Sequence, residues 1–237
     1  MDKVTAILCN YNHHEYIESA FQSLLNQTYE NLDIIVYDDG SDVNPQDLLS
    51  GIDTLGRKVT YMSNEQNMGK WYCLNSAIAQ STSPWIMVQD ADDYAFPWKA
   101  STQLRALKET NTTLNIAGYV SIEKTKSHYI PPVPNLNDLN VIIGEEIMQH
   151  TFISITHPQI NHNSTGRYLL HNGATMFHSG FHDVGVRFHP PDVGLRLAKS
   201  EDSDYNIRVS SQFRQTSWLL IPCYSYRIGS GHPEGSF

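Results

Sequence analysis

The sequence predicts an α/β fold, a single domain whose Rossmann-like, mainly parallel central sheet is flanked by helices. Three observations carry this prediction. Short apolar runs alternate with segments of helical periodicity, at intervals of about 25 to 30 residues, as in βαβ units. Three of those runs end in polar clusters. The 237 residues are enough to bury one sizeable core.

Four apolar runs in the first hundred residues are the predicted strands. They cover residues 4–9, 32–37, 59–62 and the stretch that starts at Trp85. Helices are expected at 14–26, 70–80 and 97–108. The first helix has an apolar stripe at helical spacing, formed by Ile17, Ala20, Phe21, Leu24 and Leu25.

The pattern becomes less regular in the second part of the chain. From about residue 118 to 167 no period is evident, and the prolines of 131–134 exclude a helix or a central strand there. A short helix is expected at 145–150, a strand at 173–177, a helix at 200–209 with an acidic first turn, and a last strand at 218–221. The irregular region is expected to pack over a pocket.

Composition excludes several classes of protein. The net charge of −9 argues against a nucleic-acid partner, which needs a basic face. The first residues lack the apolar stretch of a signal peptide, and no run reaches the length of a membrane span. The three cysteines, Cys9, Cys73 and Cys223, lie far apart, which is typical of a reducing compartment. We therefore expect a cytoplasmic protein.

Polar residues follow three of the predicted strands, as Asn10-Tyr11-Asn12, Asp38-Asp39 and Asp90-Ala91-Asp92-Asp93. The carboxyl ends of parallel strands share one edge of a sheet, where ligands bind. Carboxylates are rarely buried unless they are paired or bound to a metal. A solvated acidic turn is the alternative for the third cluster alone. The convergence of three clusters favours a pocket.

These segments resemble, in order, the family of inverting nucleotide-sugar glycosyltransferases called family 2, which have the GT-A fold. The resemblance covers roughly residues 4–210 and is loose from about 118 to 170. The matching segments are 4–12, 23–29, 35–41, Asn67-Met68-Gly69 with Asn75, 90–93 and Glu201-Asp202. It implies that residues 1–110 bind a nucleotide-sugar, expected to be a UDP-sugar, and that residues 111–237 form the acceptor-binding half and the tail of the same domain.

The resemblance also implies residue roles in donor binding. Tyr11 would stack on the pyrimidine, with packing under the loop as the alternative. Asp39 would accept the imide N–H of uracil, with turn capping as the alternative, for which Asp38 is the better candidate. The remaining donor contacts are expected from Asn67, Lys70, Asp90, Ala91 and Asp92, with a solvated lysine as the alternative for Lys70.

A divalent metal is implied because carboxylates and a diphosphate repel each other. Mg²⁺ or Mn²⁺ prefers oxygen ligands and would stabilise the departing diphosphate. The expected ligands are Asp92 and Asp93, in an order that the sequence leaves open, and His232. A tail with an incidental histidine is the alternative for His232.

The resemblance makes Asp202 the catalytic base, which takes the proton of the acceptor hydroxyl in a direct displacement. Glu201 and Asp204 are the fallbacks, and a helix cap is the other role for a carboxylate at this position. Glu201 and Gly173 are expected to contact the acceptor, a glycan or glycoconjugate.

Two other functions remain open at this point. A sugar-phosphate nucleotidyltransferase needs a Gly-rich basic loop after the first strand, and residues 10–14 do not supply one. A non-catalytic nucleotide-sugar or glycan-binding module is the other. A zinc pair of His178 and His182 is disfavoured, because no glutamate lies between them. Peripheral membrane association and membership of a longer polypeptide are left open.

Overall fold

The computed structural model describes residues 1–123, 125–127, 130–137, 139, 141–143, 154–155, 166–167, 175–190, 204–209 and 216–230. The strands are β1 (Val4–Asn10), β2 (Leu32–Asp38), β3 (Val59–Ser63), β4 (Trp85–Asp90), β5 (Tyr94–Ala95), β6 (Leu114–Glu123), β7 (Val141–Ile143), β8 (Ser154–Ile155), β9 (Gly166–Arg167), β10 (Thr175–His178) and β11 (Thr216–Ile228). The helices are α1 (Ile17–Leu25), α2 (Pro45–Leu49), α3 (Lys70–Gln80), α4 (Lys99–Thr110), α5 (Gly180–Asp183) and α6 (204–209).

One mixed sheet organises the described residues, in the order β3-β2-β1-β4-β10-β6-β11-β5, with β7 paired to β11. β3, β2, β1 and β4 are parallel to each other. β10 is antiparallel to β4 and β6, and β11 is parallel to β6. The predicted mainly parallel sheet flanked by helices is therefore confirmed.

The central strands bury both faces because their residues alternate between two helical layers. Ala6 and Leu8 of β1 point to the face that α1 and α4 cover, together with Phe21 and Leu104. Ile7 and Cys9 point to the opposite face, which α3 covers. Every residue of β1 is buried, as expected for a strand of a parallel sheet that is covered on both sides.

In the second part of the chain, β6 was not predicted and β11 is longer than predicted. β6 has 10 residues and runs into the irregular stretch, and β11 has 13 residues instead of the expected 218–221. Pro222 lies inside β11, and the pairing with β6 shifts register on both sides of it. Proline cannot donate a hydrogen bond to the neighbouring strand, but at such an irregularity in the pairing a strand can do without that bond. The strand therefore continues past Pro222.

Two other short elements, α2 and β5, were also missed, whereas the expected helices 70–80 and 97–108 correspond closely to α3 and α4. The expected helix 145–150 and the acidic first turn of helix 200–209 lie outside the described residues. The division of the chain near residue 110 stays a prediction. Within the described ranges, no helix has the length and apolar character needed to cross a membrane.

Candidate donor and metal site

The carboxyl ends of β1, β2 and β4 meet at one edge of the sheet. Asn10 is in register with Asp38 of β2, and Cys9 is in register with Asp90 of β4. The chain leaves β1 toward β2 and returns on the other side of β1 as β4, which makes the crevice beside β1 a topological switch point. Open α/β sheets bind ligands in such crevices. The predicted convergence of the three polar clusters is confirmed.

Asp38 closes the turn after β2. Its carboxylate accepts hydrogen bonds from the Ser41 backbone N–H at 2.9 Å, from the Ser41 hydroxyl at 2.6 Å and from Asn10 Nδ2 at 2.7 Å. The Ser41 hydroxyl oxygen in turn accepts from the backbone N–H of Asn12 at 2.8 Å. These bonds fix the tips of β1 and β2 against each other, so Asp38 has the turn-capping role that the sequence suggested for it.

Asp39 orders the loop before α3. Its Oδ1 accepts from Asn64 Nδ2 at 2.7 Å and from the Met68 N–H at 2.8 Å, and its Oδ2 accepts from the Gly69 N–H at 2.8 Å. Gly69 has a φ of +91°, and a Cβ there would lie 2.8 Å from the Trp71 ring, so this position requires glycine. A contact between Asp39 and a base stays a prediction.

The acidic turn after β4 concentrates negative charge. The Asp93 N–H donates to the Asp90 carbonyl at 3.2 Å, which closes the turn. Asp90, Asp92 and Asp93 each offer a carboxylate oxygen, and the three oxygens lie within 4.8 Å of one another. This is the only such group of His, Cys, Asp or Glu in the residues that the structure describes. Three like charges at this separation favour a cation among them.

Asp93 lies behind the other two carboxylates. It is fully buried, its Oδ1 accepts the Arg227 N–H at 2.9 Å, and its Oδ2 has no hydrogen-bond partner. Burial, and then the charges of Asp92 and Asp90, raise the pKa of Asp93 well above its usual range. Asp92 is partly exposed and is the more accessible ligand. An unpartnered buried oxygen beside two carboxylates fits Mg²⁺ or Mn²⁺, which choose oxygen ligands.

Lys70 reaches the acidic turn from the start of α3. Its ammonium forms an ion pair with Asp90, and the two side chains are 27% and 14% exposed. Lys70 follows directly on the loop that Asp39 orders. The solvated lysine that was the alternative for this residue is therefore not what the structure contains.

A buried lysine supports the end of β4, directly before the acidic turn. Lys99 is fully buried in α4, and its Nζ donates to the Val88 carbonyl at 3.0 Å and to Gln89 Oε1 at 2.9 Å. Burial lowers the pKa of Lys99 to about 8, while the nearby acidic groups oppose this shift. Sequence reasoning missed Lys99, because a lysine in the first turn of an amphipathic helix usually faces solvent.

The end of β11 completes the turn. Besides its N–H bond to Asp93, Arg227 donates through Nε to the Asp92 carbonyl at 3.1 Å, and its guanidinium lies 4.7 Å from the centre of the Tyr16 ring. The Ser230 hydroxyl donates to the Asp92 carboxylate. Arg227 and Ser230 were not among the predicted site residues, and the only signal was the Tyr226-Arg227 pair near the end of the sequence.

The other predicted donor contacts lie around the same crevice. Tyr11 is partly exposed beyond β1, and Asn67 is exposed in the ordered loop, where its Oδ1 accepts the Gly69 N–H at 3.0 Å. Ala91 is buried, and its methyl group packs in the core. A ligand would therefore meet the backbone of Ala91 and not its side chain.

The predicted catalytic and acceptor-side residues Asp202, Glu201 and Gly173, and the predicted metal ligand His232, lie outside the described residues. Asp204 is described and is fully buried. Its Oδ2 accepts from Arg208 Nε at 3.0 Å and lies 3.6 Å from His189 Nδ1. A carboxylate that is buried and paired in this way is poorly placed to take a proton from an acceptor, so these contacts argue against the fallback role of Asp204 as base.

His178 and His182 do not share a helix face. His178 ends β10, and its Nδ1 accepts the Gly180 N–H at 3.0 Å. His182 lies in α5 among aromatic rings, and burial together with the nearby Arg187 lowers its pKa to about 4. The pair borders a separate cleft of about 450 Å³ beside Pro84, at the opposite edge of the sheet from the acidic turn.

Comparison with known families agrees with this geometry. The profile described as "Glycosyl transferase family 2" matches residues 5–171. The chain belongs to glycosyl transferase family 2, a family of enzymes. The resemblance predicted from the ordered motifs is confirmed, and the acidic turn contains an Asp-x-Asp motif, Asp90-Ala91-Asp92.

Two of the relatives that match in sequence are glycosyltransferases by name. An uncharacterized glycosyltransferase of Haemophilus influenzae is 33% identical over 119 residues, which are 50% of this chain and 37% of that protein. The Escherichia coli UDP-Glc:alpha-D-GlcNAc-diphosphoundecaprenol beta-1,3-glucosyltransferase WfaP is 24% identical over 96% of this chain and 98% of its own length. The chain spans little more than a third of the first two relatives, 37% and 35%.

Solved structures confirm the GT-A fold. Staphylococcus aureus TarS 1–349 in complex with UDP superposes with a TM-score of 0.70 at 16% identity, over 95% of this chain and 60% of that one. The mannosyltransferase PcManGT from Pyrobaculum calidifontis, in complex with GDP-Man and Mn²⁺, has a TM-score of 0.63 at 18% identity, over 100% and 59%. At these identities the likeness concerns the fold alone.

Proposed function

We propose that the chain is a divalent-metal-dependent, inverting glycosyltransferase. It would move a sugar from a nucleotide-diphosphate donor, a UDP-sugar, to a hydroxyl of a glycan or glycoconjugate. The observation that carries the proposal is the acidic turn of residues 90–93, which lies at the topological switch point and has an unpartnered buried carboxylate oxygen on Asp93. Family membership favours sugar transfer over nucleotidyl transfer.

The donor would lie along the carboxyl edge of β1, β2 and β4. In this proposal Tyr11 stacks on the base. Asp39 accepts a hydrogen bond from the imide N–H of the base, or orders the loop that contacts this N–H. Asn67 and the Ala91 backbone border the same crevice, and Asp90 would contact the ribose hydroxyls. The neighbours solved with UDP and with UDP-GlcNAc support a uridine donor.

Asp92 would be the main metal ligand, with Asp93 behind it and His232 closing the site from the tail. When bound, Mg²⁺ or Mn²⁺ supplies positive charge to the departing diphosphate. The Mn²⁺ in the P. calidifontis structure supports this choice of ion. Ser230 and Arg227 hold Asp92 in place through the hydroxyl and Nε bonds, so the ligand is fixed before the donor arrives.

Asp202 would act as the base. It would take the proton from the acceptor hydroxyl while the acceptor oxygen bonds to C1 of the sugar and the bond from C1 to the diphosphate breaks. This single displacement inverts C1. The helix of residues 204–209 that follows is anchored, because Tyr205 stacks on Phe188 with ring centres 3.9 Å apart. Asn75 of α3 in turn bonds the Phe188 backbone at 2.9 and 3.0 Å.

The acceptor would be met by Glu201 and Gly173. The name of the E. coli relative contains a lipid-diphosphate-linked N-acetylglucosamine, which supports a glycoconjugate acceptor and a peripheral association with a membrane. The cytoplasmic location stays a prediction, as does membership of a longer polypeptide.

A donor-hydrolysis screen tests the function. Nucleotide sugars are incubated with the chain, with and without Mn²⁺, and the released nucleoside diphosphate is measured. We expect release from a UDP-sugar that depends on Mn²⁺, and a loss of about 10²- to 10⁴-fold in Asp202→Asn, the range of a general base. Unchanged release by Asp202→Asn would refute the base assignment. UDP binding without release from any donor, and without transfer, would instead indicate a non-catalytic module.

A further inference from the structure

Lys70 has an unusual position relative to the acidic turn. It is the first residue of α3, and the preceding loop is fixed to Asp39 by bonds from the Met68 and Gly69 N–H groups, both at 2.8 Å. The lysine backbone is therefore fixed with respect to the tip of β2. Its side chain crosses the crevice to the tip of β4 and pairs with Asp90.

The ion pair occupies the Asp90 carboxylate, which adjoins the proposed metal ligands Asp92 and Asp93. Asp90, Asp92 and Asp93 offer oxygens within 4.8 Å of one another. An ammonium on Asp90 neutralises part of this charge, as a divalent ion among the same oxygens would. Two cations at so short a separation repel each other. The position of Lys70 on Asp90 and the binding of a divalent ion therefore oppose each other.

We propose that Lys70 is a resident counter-cation, which holds Asp90 while the donor is absent and turns to the donor diphosphate when a divalent ion binds. The inference rests on the proposed function, because it requires a metal and a diphosphate in this crevice. The Lys70 backbone follows the loop that Asp39 fixes, and the Lys70 side chain reaches Asp90. The residue therefore lies between the tip of β2 and the tip of β4, the two ends of the proposed site. A short movement of its side chain would exchange one anionic partner for the other.

If Lys70 exchanges partners in this way, a neutral variant should change the affinities for Mn²⁺ and for UDP in opposite directions. Lys70→Met removes the competing cation, so Mn²⁺ alone should bind about three- to fivefold more tightly, the upper range for a partly exposed ion pair. The same variant loses a charged donor to the diphosphate, so UDP in saturating Mn²⁺ should bind about tenfold more weakly. A purely structural role for Lys70 would weaken both.

The experiment is a calorimetric titration of the full chain, first with Mn²⁺ alone and then with UDP in Mn²⁺. Lys70→Gln is a second neutral variant, and Lys70→Arg keeps the charge and should stay close to wild type. Lys3→Met is the matched control, because Lys3 forms an ion pair of similar exposure with Asp33, at 2.7 Å, near the amino ends of the strands. It should change neither affinity.

Three outcomes are distinguishable. Opposite shifts in Lys70→Met and Lys70→Gln, absent from Lys3→Met, support the exchange. Normal binding by wild type with unchanged or weaker Mn²⁺ binding in both neutral variants overturns it and leaves the proposed function intact. No binding of Mn²⁺ or UDP by wild type overturns both.

Discussion

Residues 1–110 and the residues after 110 differ in how far apart along the chain their contacts lie. In the first region two of the three strand pairs, β1 with β2 and β2 with β3, join strands that are neighbours in sequence, and the third joins β1 with β4. In the second, β10 inserts between β4 and β6, and the Arg227 N–H bonds Asp93, which lies 134 positions away. The first region consists mainly of strand–helix units that follow one another along the chain. The second region forms contacts with residues of the first that are far away in sequence.

This difference affects the site as well as the fold. The strand tips that carry Asn10, Asp38 and Asp90 all belong to the first region. The groups that hold the acidic turn in place, Arg227 and Ser230, come from the second. The candidate donor site is therefore formed by the first region and stabilised by the second.

The largest stability effect that we expect within this comparison is in the second region, at His182. The unfolded chain protonates this histidine near pH 6.5, whereas burial lowers its pKa in the folded chain to about 4. Its contribution to stability is therefore present above pH 6.5 and is lost as the pH falls toward 4. At 1.36 kcal/mol for each pH unit, the loss is about 3 kcal/mol.

His182→Phe removes this proton-linked loss, because phenylalanine does not titrate and suits the surrounding aromatic rings. The free energy of unfolding should then fall by about 3 kcal/mol less than in wild type between pH 6.5 and pH 4. Urea unfolding at a series of pH values measures it. Parallel curves for the two proteins would mean that folding does not lower the pKa of His182.

A smaller effect is expected where the two regions join, at Asn75. Its side chain accepts from the Phe188 N–H and donates to the Phe188 carbonyl, at 3.0 and 2.9 Å. At about 1 kcal/mol for each hydrogen bond, Asn75→Ala should lower the free energy of unfolding by about 2 kcal/mol.

Asn31→Ala is the matched control for Asn75→Ala. Asn31 Nδ2 donates to the Met1 carbonyl at 2.8 Å in an exposed bond, and its loss should cost less than about 0.5 kcal/mol. Equal urea midpoints for the two variants would contradict the view that Asn75 holds the regions together.

Much of the first region was predictable because each element carries its own signal. Val4 to Cys9 is a buried run with a polar tip, and the stripe of Ile17, Phe21 and Leu24 has helical spacing. Parallel strands that alternate with helices bring their tips to one edge, so the position of Asp90 beside Asn10 and Asp38 followed from the order of elements alone.

The rest depends on contacts that no local pattern encodes. β6 was missed because the irregular, proline-containing stretch that follows Glu123 obscured where it ends. β11 was expected to stop before Pro222, but pairing with β6 carries it to Ile228. Lys99 looks like a surface lysine in the sequence, but in the structure the Val88 carbonyl and Gln89 Oε1 accept hydrogen bonds from its ammonium group. Asp39 looks like a ligand-binding residue, and its three bonds to the next loop are not visible in the sequence.

The central claim is that the acidic turn forms a metal-dependent nucleotide site. Its most direct test is a calorimetric titration of UDP into wild type, Asp92→Asn and Asp47→Asn, each with Mn²⁺ and with a chelator. Asp47 lies exposed on α2 and serves as the control. Mn²⁺ should tighten UDP binding by at least about tenfold in wild type and Asp47→Asn, and by little in Asp92→Asn. Equal UDP affinity with and without Mn²⁺ in wild type would contradict the account.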